Sequence, residues 1–90
     1  MLRTAILGVG HHVPSKVVTN DDLAKMFETS DEWIQQRTGI KERRYIDHVP
    51  CGPSDLAVPA VQMVCERAKV DVSEIDAIIF ATLSPDYTFP

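Results

Sequence analysis

The sequence is short of the features that announce most function classes. Two cysteines in 90 residues make no disulfide framework, and in a reducing compartment both are expected to be thiols. No apolar run approaches the roughly 20 residues that a membrane span needs. The opening Ala5-Ile6-Leu7 is broken by Gly8 and Gly10 and runs into His11-His12-Val13-Pro14, where a secretory signal would show a small-residue cleavage site; a cytoplasmic location is the default expectation. Positive charge is scarce as well, and a net charge of −4 with a pI near 5.2 gives no general field toward nucleic acid or a membrane surface. Metal-ligand spacing is missing: no C-x-x-C or H-x-x-x-H joins His11, His12, His48 and Cys51, which read as loop residues. Gly8-Val9-Gly10 starts like a dinucleotide fingerprint, but the third glycine is absent and the following His11-His12-Val13-Pro14 cannot open a helix, so a Rossmann cofactor site is discounted.

What is present is ordinarily globular, 44% hydrophobic and 24% charged. A chain of this length buries only about 60–65% of the surface it exposes when unfolded, so any core is thin. Arg3 to Val9 and Ile75 to Thr82 are nearly continuous apolar runs and are predicted as strands buried on both faces. Two such strands joined through helices predict a parallel α/β sheet, which needs helices on both sides. Three short helices are too few. Residues 1–90 therefore read as one incomplete domain, the N-terminal part of a larger α/β protein, expected to fold poorly or aggregate alone.

The helices come from local signals. Thr19 offers an N-cap with Asp21 and Asp22 behind it, ahead of Leu23, Ala24, Met26 and Phe27. Ser30 caps a second helix with Asp31 and Glu32 at its positive end, and Gly39 sits where a left-handed residue would end it. Ile40 to Ile46 reads as a charged edge strand or hairpin arm, and His48 to Pro53 as a loop. Ser54 is the expected cap of a longer helix reaching about Lys69. Ala57, Ala60, Val61, Val64, Cys65 and Ala68 form its apolar face, with Cys65 a core thiol. Pro59 would cost about 3 kcal/mol in the interior of that helix, so either the helix starts near Val58 or it kinks. Cys51 lies in a turn without a helix N-terminus or fixed cation to activate it, which speaks against a nucleophile.

Trp33 and Arg37 are one turn apart and share a helix face. The residues alone leave two readings. A purine can stack between indole and guanidinium, with its phosphate meeting Arg37 or the run Lys41, Arg43 and Arg44 behind it. Alternatively, Trp33 is packing and Arg37 its cover, which the frequency of buried tryptophan favours. The basic run is equally open between an anion-facing patch and a solvated surface.

Several blocks together resemble β-ketoacyl-acyl carrier protein synthase III, a thiolase-fold condensing enzyme. They are Gly8-Val9-Gly10, Val13-Pro14, Val18-Thr19-Asn20-Asp21-Asp22-Leu23, Thr29-Ser30-Asp31-Glu32-Trp33-Ile34, Arg37-Thr38-Gly39-Ile40, Glu42-Arg43, and Ile75-Asp76 to Thr82 before Ser84-Pro85-Asp86. The likeness covers essentially the whole chain. It implies a layered α-β-α-β-α fold and an acyltransferase that loads an acyl group from coenzyme A onto a cysteine and condenses it with malonyl-acyl carrier protein in fatty acid synthesis. It further implies a homodimer and a coenzyme A adenine held by Trp33 and Arg37, with Thr29 as a polar contact; coenzyme A is the substrate's carrier, and no separate cofactor is expected. The family's catalytic cysteine, histidine and asparagine are matched by none of Cys51, Cys65, His11, His12 or His48, so no catalytic residue is expected within these 90. Two alternatives stay open: a non-catalytic module for coenzyme A or another adenine nucleotide, and a related thiolase-superfamily enzyme with a different acyl substrate.

Overall fold

The computed structural model describes residues 2–47 and 51–88, in two compact units. The predicted loop positions His48, Val49 and Pro50 lie outside the described residues.

One unit spans residues 13–49. It contains β1 (Lys16–Thr19), α1 (Asn20–Ala24), α2 (Asp31–Thr38) and β2 (Glu42–Tyr45). The two strands pair antiparallel, Lys16 opposite Tyr45 and Thr19 opposite Glu42, with both helices in the connection between them. The extended reading of 40–46 is thus realised as β2. Its partner β1, which begins two residues after Pro14, is not among the elements expected from the sequence. Val18 is buried and Val17 is not, so β1 shows one buried apolar position, too little for a period-two signal. Val18 and Ile34 make the apolar core, and Asn20 is the buried polar residue beside them.

Helix ends here follow the local chemistry. Thr19 Oγ1 accepts from Asp22 N–H at 3.1 Å while the Asp22 carboxylate accepts from Thr19 N–H at 2.9 Å, a reciprocal capping box. Ser30 Oγ accepts from Trp33 N–H at 3.1 Å. Gly39, at φ 73°, closes α2 by donating its N–H to the Gln35 carbonyl at 2.8 Å, in the left-handed region that glycine enters without strain.

The other unit comprises residues 1–12 and 50–90 and holds α3 (Pro53–Ala68) and a 3-10 turn at Val72–Glu74. Helix α3 begins before Ser54. Gly52 is the N-cap residue, Pro53 takes the first helical position, and the Asp55 carboxylate accepts from Gly52 N–H at 2.8 Å. Proline suits that position because its missing N–H would have no intrahelical partner there. Pro59 lies within the continuous helix, which therefore does not start near Val58; with no N–H, residue 59 leaves the Asp55 carbonyl without its usual helical donor. The helix ends at Lys69, left-handed at φ 56°, with Val70 N–H donating to the Cys65 carbonyl at 3.0 Å.

The apolar face of α3 is only half covered, and Cys65 is half-buried, not a core thiol. Gly8 and Gly10 run close over this helix. A Cβ on Gly10 would lie 2.4 Å from the Ala60 carbonyl oxygen, so the glycines serve close approach to a helix. Neither residues 3–9 nor 75–82 form a strand: a strand exists by its hydrogen-bonded ladder, and among the described residues neither run has a laddered neighbour. Ile6 and Ile79 are correspondingly exposed, at 87% and 98%.

The Asp86 carboxylate accepts from Ser54 N–H at 3.1 Å and from the Ser54 hydroxyl, clasping the N-terminus of α3 across 32 residues. Ser54 is a partner of this clasp, not the cap itself. The Ser54 hydroxyl first, then its N–H, hold the Asp86 carboxyl below its usual range. Since the folded value is the lower one, the clasp stabilises above the unfolded carboxylate value of about 3.9 and that contribution fades as pH falls through the folded value. Asp86→Asn is expected to lower the melting temperature at pH 7, with the gap to wild type closing below about pH 4. Equal gaps at pH 7 and pH 3 in thermal scans would contradict this. No helix among the described residues is long and apolar enough to cross a membrane.

Candidate functional site

The 13–49 unit turns the exposed side of α2 into a shallow cleft. Ile34 is buried and anchors the helix, while the next residue back, Trp33, is 54% exposed. The connection from α1 supplies Phe27, Glu28, Thr29 and Ser30, which with Trp33 line an open cleft of about 340 Å³. That is within the range of about 300–1,000 Å³ usual for small-molecule sites. Two aromatics, Phe27 and Trp33, form its wall, two small hydroxyl residues, Thr29 and Ser30, its rim, and Glu28 is its one acid.

Arg37 is not part of that lining. Its guanidinium lies over the Trp33 ring, 5.4 Å from the centroid, and this is its one contact of note among the described residues. Such an exposed cation–π contact is worth about 0.5–1 kcal/mol. The separation is too small for a third ring between the two, because two stacking contacts of about 3.5 Å each need about 7 Å. A sandwiched purine therefore requires Arg37 to swing away. Stacking a base on an aromatic contributes about 1–3 kcal/mol, which exceeds the self-contact it displaces.

The expected site residues thus divide. Thr29 and Trp33 share the cleft, and Arg37 covers the indole. Phe27, read from the sequence only as an apolar residue of the first helix, lies beyond the end of α1 at Ala24, and Glu28 is not a sequence-predicted site residue; their signal is that they immediately precede Thr29 in the same connection. The basic run is not a free anion patch. Arg43 turns inward, donating to the Val18 carbonyl at 3.2 Å and to Asn20 Oδ1 at 2.7 Å, and Arg44 donates to the Pro14 carbonyl at 3.0 Å. The inward bond of Arg43 is favoured because it gives the buried Asn20 amide oxygen a donor.

Asp31, at the first position of α2, has its carboxyl held below the usual range, by the Gln35 amide first and then by Asn20, with Lys41 adding a smaller attraction. An ionised residue there favours the positive end of the helix. Among the described residues, no group of three His, Cys, Asp or Glu side chains could hold a metal ion.

No protein-family model matches the chain. Over all 90 residues it is 50% identical to the β-ketoacyl-[acyl-carrier-protein] synthase III of Ehrlichia canis, covering 28% of that protein. Over 89 residues it is 52% identical to the enzyme of the same name from Chlamydia muridarum, covering 27%. The chain thus spans little more than a quarter of the length of these curated relatives. Among solved structures, it superposes on 3-oxoacyl-[acyl-carrier-protein] synthase III from Aquifex aeolicus with a TM-score of 0.84 and 44% identity, covering 94% of this chain and 27% of that one. The Pseudomonas aeruginosa synthase III gives a TM-score of 0.79 at 34% identity, over 93% of this chain and 25% of that one. The resemblance found in the sequence blocks holds across the chain, and the α/β fold is that of a segment of these synthases. Both alternatives, the free-standing module and the enzyme with another acyl substrate, find no support in these relatives.

Proposed function

We propose that this chain is the segment of a β-ketoacyl-acyl carrier protein synthase III that grips the nucleotide end of an acyl-coenzyme A donor. Support comes from an exposed indole with a guanidinium over it that makes no other contact of note among the described residues, beside a cleft carrying a threonine. In this reading the adenine stacks on Trp33, Arg37 swings to close over it or meet its phosphate, and Thr29 offers a hydroxyl to the purine edge. Binding energy spent on this remote group positions the thioester for attack elsewhere.

The acyl transfer and the decarboxylating condensation with malonyl-acyl carrier protein belong, in this reading, to a cysteine, a histidine and an asparagine outside these 90 residues. A cytoplasmic location and a homodimeric full-length enzyme go with the same proposal. The test is a coenzyme A titration of the full-length synthase, with the signal of Trp33 isolated by subtracting a Trp33→Phe variant. Saturable quenching or a spectral shift is expected; an unperturbed Trp33 signal at saturating coenzyme A would remove the clamp.

A further inference from the structure

Among the described residues, the most buried side chain is a carboxamide beside the proposed clamp. Asn20 is 1% exposed, although it lies at the start of a five-residue helix where a solvated polar residue would be ordinary. Both of its amide protons are used. One goes to Asp31 Oδ1 at 2.8 Å and the other to the Ile40 carbonyl at 2.8 Å, while its oxygen accepts from Arg43 at 2.7 Å. Its backbone N–H donates to the Lys41 carbonyl at 3.3 Å.

These partners define what Asn20 holds. Asp31 is the first residue of α2, and Ile40 follows the Gly39 that ends it. A single planar group therefore ties both ends of the helix that carries Trp33 and Arg37, and through Arg43 ties them to β2. Gln35, one turn after Asp31, donates to both oxygens of the same carboxylate at 2.8 Å, so the tie extends along α2 between the two clamp residues. Asparagine suits the position because the site asks for two donors and one acceptor in one plane. An aspartate would present oxygen to the Asp31 carboxylate and the Ile40 carbonyl, and a leucine would strand all three partners.

We propose that Asn20 is a positioning residue for the nucleotide clamp: through Asp31 and Ile40 it sets the placement of α2, and with it the affinity for the donor's nucleotide. This rests on the reading of α2 as the coenzyme A clamp. Asn20 touches no ligand in this account, and its effect is transmitted by the helix.

The test uses the full-length synthase with two donors, an acyl-coenzyme A and the matching acyl-pantetheine, which lacks the nucleotide. Asn20→Asp is expected to raise KM for the coenzyme A donor about three- to ten-fold, within the loss of up to about a hundred-fold that a 1 Å misplacement can cause. KM for acyl-pantetheine should stay within about two-fold, since a uniform-binding loss falls only on the group that is held. The reciprocal exchange Asn20→Asp with Asp31→Asn restores a donor facing an acceptor and should recover part of the lost affinity. If Asn20→Asp does not fold, Asp31→Ala removes the same bond from its other end and should give the same donor-selective pattern.

An equal rise for both donors would assign Asn20 a merely structural role and overturn the inference, as would no change for either. Trp33→Ala separates this from failure of the clamp itself. If Trp33→Ala raises KM for the coenzyme A donor while the Asn20 and Asp31 variants do not, the positioning role alone fails. If Trp33→Ala leaves it unchanged, the clamp reading fails and takes this inference with it.

Discussion

If α2 grips the nucleotide as proposed, Trp33→Ala in the full-length protein is expected to raise KM for an acyl-coenzyme A donor about ten-fold or more, with kcat reduced far less. The size follows from the stacking surface removed: base–aromatic contacts are worth about 1–3 kcal/mol each by alanine substitution, which corresponds to about 5- to 150-fold in affinity. Trp33 is half exposed, so the lower half of that range applies. Arg37→Ala is expected to do less, about three- to ten-fold, because its guanidinium must first leave the indole, a contact of about 0.5–1 kcal/mol. A Lys at position 37 should rescue the charge but not the planar stack, leaving KM between the two. The adenine lies far from the reacting thioester in this account, so the loss belongs to uniform binding and appears in KM. Steady-state kinetics at saturating carrier-protein substrate measure it; a kcat loss equal to the KM rise would point to the reacting groups instead.

The second large effect is on stability, at Gly10. A Cβ there would stand 2.4 Å from the Ala60 carbonyl oxygen, 2.9 Å from Val64 N and 3.0 Å from Val64 Cβ. These are mostly backbone atoms of α3, which cannot rotate away, so the chain or the helix must shift. Gly10→Ala is expected to destabilise by about 1–3 kcal/mol, the usual cost of overpacking. Gly8 is a built-in contrast, since its added Cβ would meet the Ala68 and Val64 side chains at 3.3 and 3.4 Å. Gly8→Ala should therefore cost visibly less. Denaturant midpoints of the two variants in the full-length protein decide the matter: comparable losses, or a greater loss at Gly8, would mean that Gly10 is not the tight point of this packing.

Local chemistry was legible and long-range chemistry was not. The caps at Thr19, Ser30 and Gly39 act within four residues, and each stands where side-chain type put it. The neighbourhood of Trp33 and Arg37 is a matter of helical pitch, and their 5.4 Å contact follows. Helix α3 starts two residues earlier than expected because Pro53 and Asp55 set its start, with Gly52 as the cap, while Ser54, the better cap by type, is taken by Asp86 from 32 residues away. Runs 3–9 and 75–82 have the composition of buried strands, but a ladder depends on neighbours that composition does not name. Asn20 looked like part of a cap, yet its partners lie 11, 20 and 23 residues on. Arg43 looked like surface charge for the same reason.

The discrimination between two donors tests the central claim most directly. The ratio of kcat/KM for an acyl-coenzyme A to that for the matching acyl-pantetheine is compared in the wild-type synthase and in Trp33→Ala. If the indole holds the nucleotide, the wild-type preference falls about ten-fold or more in the variant, because only the nucleotide-bearing donor loses a contact. If the ratio stays the same in both proteins, Trp33 does not bind the nucleotide and the clamp is contradicted.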